Sequence, residues 1–231
     1  MREFSARTAW MAAVALTLLT ACGGASRSGA EVTARPAGEA GEIDYDAIYR
    51  ARQESARTRF TEADVSFVTG MIAHHAQALV MSAMAPTHGA SPSLRTLAAR
   101  ITTSQQDEIE IMQRWLRDRG QPVPEVHITG TELTIHGGEH IGHVMPGMLT
   151  PAQIHELDGA RGPAFDRLFL TYMIQHHEGA VTMVTELFGI DGALQDEGVF
   201  KLASDIQVDQ LTEIARMEKM LATLPGGDPT R

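Results

Sequence analysis

Apolar residues recur every three or four positions over four long stretches of this 231-residue chain, the spacing that puts them on one face of an α-helix. Thr61 followed by Asp64 is a capping-box signal opening a helix that runs to about Ala85, just before Pro86. Ser91-Pro92 supplies an N-cap and a first-turn proline for a second helix, which continues to about Asp118 and stops at Gly120 and Pro122. From 120 to 149 the period is lost among Gly, Pro and scattered His, and only Glu132 to Ile135 hints at an extended piece. Thr150-Pro151-Ala152-Gln153 is a second capping box, starting a short helix that ends near Asp158-Gly159. Pro163 opens a long helix through Phe188, closed by Gly189, and a last helix runs from about Glu197 to Leu224 before Pro225-Gly226-Gly227. Residues 44 to 59 have a weaker period, compatible with one short helix.

The pattern occurs twice. Met71-Ile72-x-His74-His75-x-x-Ala78-x-x-Met81 returns as Met173-Ile174-x-His176-His177-x-x-Ala180-x-x-Met183, 102 positions later. In the helix after each, Ala98-x-x-Ile101-x-x-x-Gln105-x-x-Glu108-Ile109-x-x-Met112-x-x-x-Leu116 matches Ala203-x-x-Ile206-x-x-x-Gln210-x-x-Glu213-Ile214-x-x-Met217-x-x-x-Leu221, 105 positions later. Two matching helical hairpins separated by one small insertion indicate an internal duplication. A lone hairpin leaves one apolar face uncovered, and two can cover each other. The predicted fold class is therefore all-α: an antiparallel four-helix bundle made of two duplicated hairpins, spanning 44–225 with halves at about 61–119 and 150–224.

Composition agrees. Hydrophobic residues at 43% suffice for one domain of ordinary size, and few aromatics beside abundant Ala, Leu and Met favour helix over sheet. A formal charge of −10 excludes a nucleic-acid binder, which needs a basic surface. The single cysteine excludes an internal disulfide framework. Its position carries another meaning: Arg2 and Arg7, the largely apolar run from Ala9 to Leu19, and Leu19-Thr20-Ala21-Cys22 form a secretory signal too short for an ordinary membrane span. The ending resembles a bacterial lipobox, so Cys22 is expected to be lipidated and to anchor the mature chain to a membrane. The plainer alternative is a signal peptide cut nearby. Residues 23–43, rich in Gly, Ala and Ser, then form a flexible tether, and under either reading the mature chain is exported, to the outer side of the cell membrane or the periplasm.

On a helix turning about 100° per residue, Met71, His74, His75, Ala78 and Met81 share roughly one third of the circumference, and the second copy repeats the arrangement. Gln105, Glu108, Gln210 and Glu213 lie on otherwise apolar stripes, where unpartnered burial would cost a few kcal/mol each. The neighbouring histidines are their obvious partners: a carboxylate or amide accepting from one imidazole nitrogen fixes the tautomer and frees the other nitrogen for a metal. A hydrogen-bonded core pair with methionine packing is the structural alternative for any one of these residues. Present twice, the His-His and Met set favours metal binding. Thioether with imidazole suits copper, Cu(I) above all, whereas zinc would make little use of the methionines. His136 to Met148 adds three His (His136, His140, His143) and two Met (Met145, Met148), either further copper donors or a solvated loop. His88, His127 and His155 have no such company and read as surface residues.

These motifs, with Met145-Pro146-Gly147-Met148-Leu149-Thr150 and Phe165-Asp166-Arg167-Leu168-Phe169-Leu170, closely resemble the family known as domain of unknown function 305 over about residues 60 to 222. The resemblance implies a ferritin-like helical bundle and an exported protein, in a family that includes periplasmic copper-binding proteins. It further implies copper ligation by His74, His75, Met81, His176, His177 and Met183, with Met145 and Met148 as additional donors. The function expected is a non-catalytic copper-binding lipoprotein that sequesters or hands on the ion. Two alternatives differ in class. A non-metal bundle would present a helix face to a protein partner. A di-metal oxidase would need Glu-x-x-His motifs, which this chain lacks.

Overall fold

In the computed structural model of the protein, residues 43–137 and 145–225 are described. They form six helices and one two-stranded hairpin: α1 Tyr45–Arg57, α2 Glu62–Met84, α3 Pro92–Asp118, β1 Glu125–Thr129, β2 Glu132–His136, α4 Pro151–Gly159, α5 Gly162–Phe188 and α6 Glu197–Thr223. The protein is thus mostly helical, and no helix among the described residues is long and apolar enough to cross a membrane. The signal, the tether, Cys22, His140 and His143 lie outside the described residues.

Both predicted capping boxes form. Thr61 accepts from the Asp64 amide while the Asp64 carboxylate accepts from the Thr61 amide, and Thr150 and Gln153 exchange the same bonds. Asp64 does a second job, its other oxygen accepting from the Leu194 amide at 2.8 Å, which ties the start of α2 to the turn between α5 and α6. Leu194 has a positive φ of 61°, a conformation uncommon for a leucine that this bond helps to hold.

α2 is the central element. Nearly every residue from Val65 to Met84 is buried, as expected of a helix that is apolar all round. It pairs with α3, lies along α5, and is touched by the β-hairpin and α4. α5 pairs with α6, whereas α3 and α6 meet only lightly. Two helical hairpins therefore face each other through α2 and α5.

The apolar interior falls into two clusters. One gathers Ala78, Met81, Leu94, Ile101, Phe165, Phe169, Met173 and Met217. The other gathers Val68, Met71, Ile72, Ile109, Met112, Leu116, Ala180 and Ile206. Burying each large aliphatic or aromatic side chain there contributes about 1.5–3 kcal/mol. Between the clusters, at the positions that interrupt each helix's apolar run, stand His74, His75, Gln105, His176, His177 and Gln210, all at most 1% exposed. A polar layer crosses the middle of the core.

Two sequence expectations change here. The 120–149 stretch contains a full hairpin, with β1 pairing antiparallel to β2 from Glu125 opposite His136 to Thr129 opposite Glu132. Its two-residue turn places Gly130 at φ 61°, a conformation that glycine adopts without strain. His88, expected on the surface, is 6% exposed: its Nε2 reaches the Asp158 carbonyl at 3.0 Å, joining the α2–α3 turn to α4. His127 is exposed on the hairpin and His155 on α4.

Candidate functional site

The polar layer is built by the two His-His pairs. Because α2 and α5 lie against each other, rings from separate repeats meet: the His74 and His176 ring centroids are 3.9 Å apart, inclined at 36°. His75 and His177 turn the other way, toward α3 and α6. His75 Nε2 is 2.6 Å from Glu108 Oε2, and His177 Nε2 is 2.6 Å from Glu213 Oε2. The carboxylate oxygens accept, so each Nε2 carries the proton.

His74 and His176 find backbone partners instead. His74 Nε2 donates to the Pro146 carbonyl at 3.0 Å, and His176 Nε2 donates to the His74 carbonyl at 3.0 Å. All four rings are thereby held as Nε2 donors, which leaves Nδ1 as the outstanding nitrogen on each. No Nδ1 of the four has a hydrogen-bond partner among the described residues, although every one is fully buried. Leaving a buried polar atom unpaired costs about 1–3 kcal/mol, so four together are a marked departure from ordinary core design.

Burial, then the neighbouring His75, lowers the His74 pKa to about 3, against an opposing contribution from the Pro146 carbonyl. Burial followed by His74, His177 and His75 pushes His176 well below its ordinary value. Both rings are therefore neutral near pH 7, and each offers an Nδ1 lone pair. That is the state in which imidazole binds a metal.

Gln105 and Gln210 occupy the same layer but bond to no histidine: both side-chain polar atoms of Gln105 and the Oε1 of Gln210 lack partners among the described residues. The two carboxylates orient imidazoles; the two amides do not. Among the described residues, no three His, Cys, Asp or Glu side chains already converge as a metal cage.

The methionines separate. Met81 is fully buried in the first apolar cluster. Its counterpart Met183 is only partly buried and meets Met145 above Gly70, where a Cβ would come 3.3 Å from the Met145 Sδ and 3.5 Å from the Met183 Cε. Met148, partly buried, lies in the turn just beyond, its amide bonding the Met145 carbonyl at 3.3 Å.

The segment 145–149 crosses α2 and α5 as a strap over His74. Gln77 holds it like a strand partner, its Nε2 donating to the Leu149 carbonyl at 3.0 Å and its Oε1 accepting from the Leu149 amide at 2.7 Å. Gly147, at φ 75°, packs against Gly179 so closely that a Cβ on Gly179 would fall 2.1 Å from the Pro146 oxygen. Sequence reasoning missed Gln77 and the role of the Pro146 carbonyl. The available signal was an amide on the most buried helix, three residues after His74, with no partner in its own repeat.

The family described as Domain of unknown function (DUF305) matches residues 64–221. A DUF305 fragment from Deinococcus radiodurans is 33% identical, covering 71% of this chain and 99% of its own, with a TM-score of 0.58. A DUF305 protein from Streptomyces coelicolor, named for its expected secretion, is 26% identical over 73% of this chain and 96% of its own, with a TM-score of 0.59. CopM in its Cu(I)-bound form is 29% identical over 71% of this chain and 98% of its own, with a TM-score of 0.52. CopM structures with Cu(II) and with silver bound are similar as well. No curated protein matches the chain.

Proposed function

This chain belongs to the DUF305 family, and from that premise we propose that it binds copper, Cu(I) in preference, in the imidazole layer of His74, His75, His176 and His177. The supporting observation is the set of four buried Nδ1 atoms without a donor, held in place from behind by Glu108, Glu213 and two backbone carbonyls. A purely structural role would account for the Nε2 contacts to Glu108, Glu213 and the two backbone carbonyls and would have no use for four unshared Nδ1 lone pairs. An ion sharing imidazole nitrogens in an apolar, water-poor core is one that accepts few ligands and tolerates thioether, which fits Cu(I).

Four long helices forming one antiparallel bundle from two duplicated hairpins is part of the same reading, supported by the paired sequence motifs and by equal His–Glu distances in the two repeats. So is export and anchoring through a lipid on Cys22, for which the Leu-Thr-Ala-Cys signal is the ground. The protein sequesters or passes on the ion and performs no catalysis. Gln105 and Gln210 share the layer as reserve polar groups, and Met81 is buried in the first apolar cluster.

An anaerobic competition titration of the full chain, purified without an affinity tag, tests this. Tight Cu(I) binding is expected in the wild type and its loss after replacement of the four histidines by Ala. Equal affinity in the two proteins would sink the assignment.

A further inference from the structure

The two thioethers above Gly70 are not in the imidazole layer. Met145 and Met183 line a cleft of about 240 Å³ that is open to solvent, together with Ser66, Phe67, Gly70 and Glu186. Gly70 lies one turn before His74 on α2, and Met183 lies two turns after His176 on α5, so cleft and layer share both helices. The strap joins them directly: Met145 supplies a sulfur to the cleft, and the next residue, Pro146, holds His74.

We propose that Met145 and Met183 form a separate outer binding site for a soft monovalent metal ion, from which the ion passes inward to the histidines. Three features of the cleft carry this. Both sulfur-bearing side chains converge on one glycine, the Met145 sulfur and the Met183 methyl lying 3.3 and 3.5 Å from where a Cβ would stand. Thioethers in a solvent-reached cleft can exchange an ion with water, which the fully buried Met81 cannot. The exposed Glu186 at the rim adds a negative charge that attracts a cation and repels none of the neutral sulfur donors. Methionine used only as filler would be replaceable by leucine without consequence, and this supplies the contrast for a test.

The proposal rests on the imidazole layer being the ion's destination, and one experiment separates the two. Full-length chain carrying 13C-methyl methionine and ring-15N histidine is titrated with Ag(I), and loading is followed by stopped flow in the wild type and in the Met145→Leu/Met183→Leu variant. The expected result is that the Met145 and Met183 methyl signals move at the first additions, and that the variant loads at least tenfold more slowly. Still methionine signals while histidine signals move, or wild-type loading in the variant, would overturn the outer site alone. Methionine shifts with unchanged histidines would uphold the outer site and overturn the imidazole destination. No change in either set would overturn both.

Discussion

Replacing His176 by Leu is expected to leave the metal-free protein about as stable as the wild type while removing its stabilisation by metal. His176 is fully buried, its Nδ1 has no partner among the described residues, and its one hydrogen bond goes to the His74 carbonyl. That carbonyl belongs to the middle of α2 and keeps its intrahelical acceptor role, so the substitution orphans nothing. Losing the bond costs about 0.5–1.5 kcal/mol, and losing a desolvated unpaired nitrogen returns about 1–3 kcal/mol. Leaving the ring stack on His74 costs about another 0.5–1.5 kcal/mol. The central values cancel, and the extremes leave at most about 2 kcal/mol either way. By contrast, Leu170→Ala, in the apolar cluster next door, should cost about 2–5 kcal/mol.

Urea unfolding of both proteins, metal-free and with Ag(I) at a hundredfold excess over its Kd, provides the readout. Wild type should gain about 2.7 kcal/mol from the ion and the variant far less. A loss above about 2 kcal/mol in the metal-free variant, with stabilisation by Ag(I) intact, would mean that His176 is a satisfied core residue and that the argument from its empty nitrogen is wrong.

Glu108→Ala removes the acceptor that fixes His75; a loss of about 1.5–3 kcal/mol in unfolding free energy and a 10–100-fold weaker Cu(I) affinity are expected, read by urea titration and ligand competition. Gln77→Ala breaks both bonds to Leu149, and faster hydrogen exchange at the Leu149 amide, with little change in distant α6 amides, should report the loosened strap. Gly179→Ala drives a methyl into the Pro146 backbone, and a fall of several degrees in Tm is expected from calorimetry. Metal-free stability should decline as pH falls from about 6.5 toward 3. The unfolded chain takes up protons in that window that folded His74 and His176 refuse, which costs at most about 1.4 kcal/mol per pH unit for each ring. Stability flat across that range in chemical denaturation would contradict the neutral, buried state of both rings.

The long helices and their caps were legible because each signal is local: a Thr with Asp or Gln three residues on, a proline at the first turn, a period of 3.6. The His-Glu partnership was legible too, since helical spacing put both groups on inward faces. The β-hairpin was only half visible, its first strand hidden by prolines at 122 and 124 and by a pattern only two apolar residues long, Val126 and Ile128. What the sequence could not give was any relation between segments distant in the chain. The amides of Gln105 and Gln210 look interchangeable with the carboxylates on a helical wheel, yet only the carboxylates reach an imidazole. Met81 and Met183 are equivalent in the repeat and end in unlike places: Met81 is enclosed in the first apolar cluster, whereas Met183 lies with Met145 of the strap against Gly70.

That strap is where the two matching halves cease to be equivalent. In a symmetric pairing each inner histidine would donate to the equivalent carbonyl, but His176 reaches a carbonyl of the facing helix while His74 reaches that of Pro146 in the strap. One imidazole is therefore fixed by rigid helix and the other by a loop held through two glutamines, Gln77 and Gln175, and one glycine contact. Helical backbone opens rarely, whereas a strap held only by side-chain hydrogen bonds opens at a cost of a few kcal/mol. Exchange of an ion between solvent and the layer should accordingly run on the His74 side, past the strap. His176 should stay in place throughout, and hydrogen exchange faster at residues 145–149 than at 173–180 is the observation that this asymmetry requires.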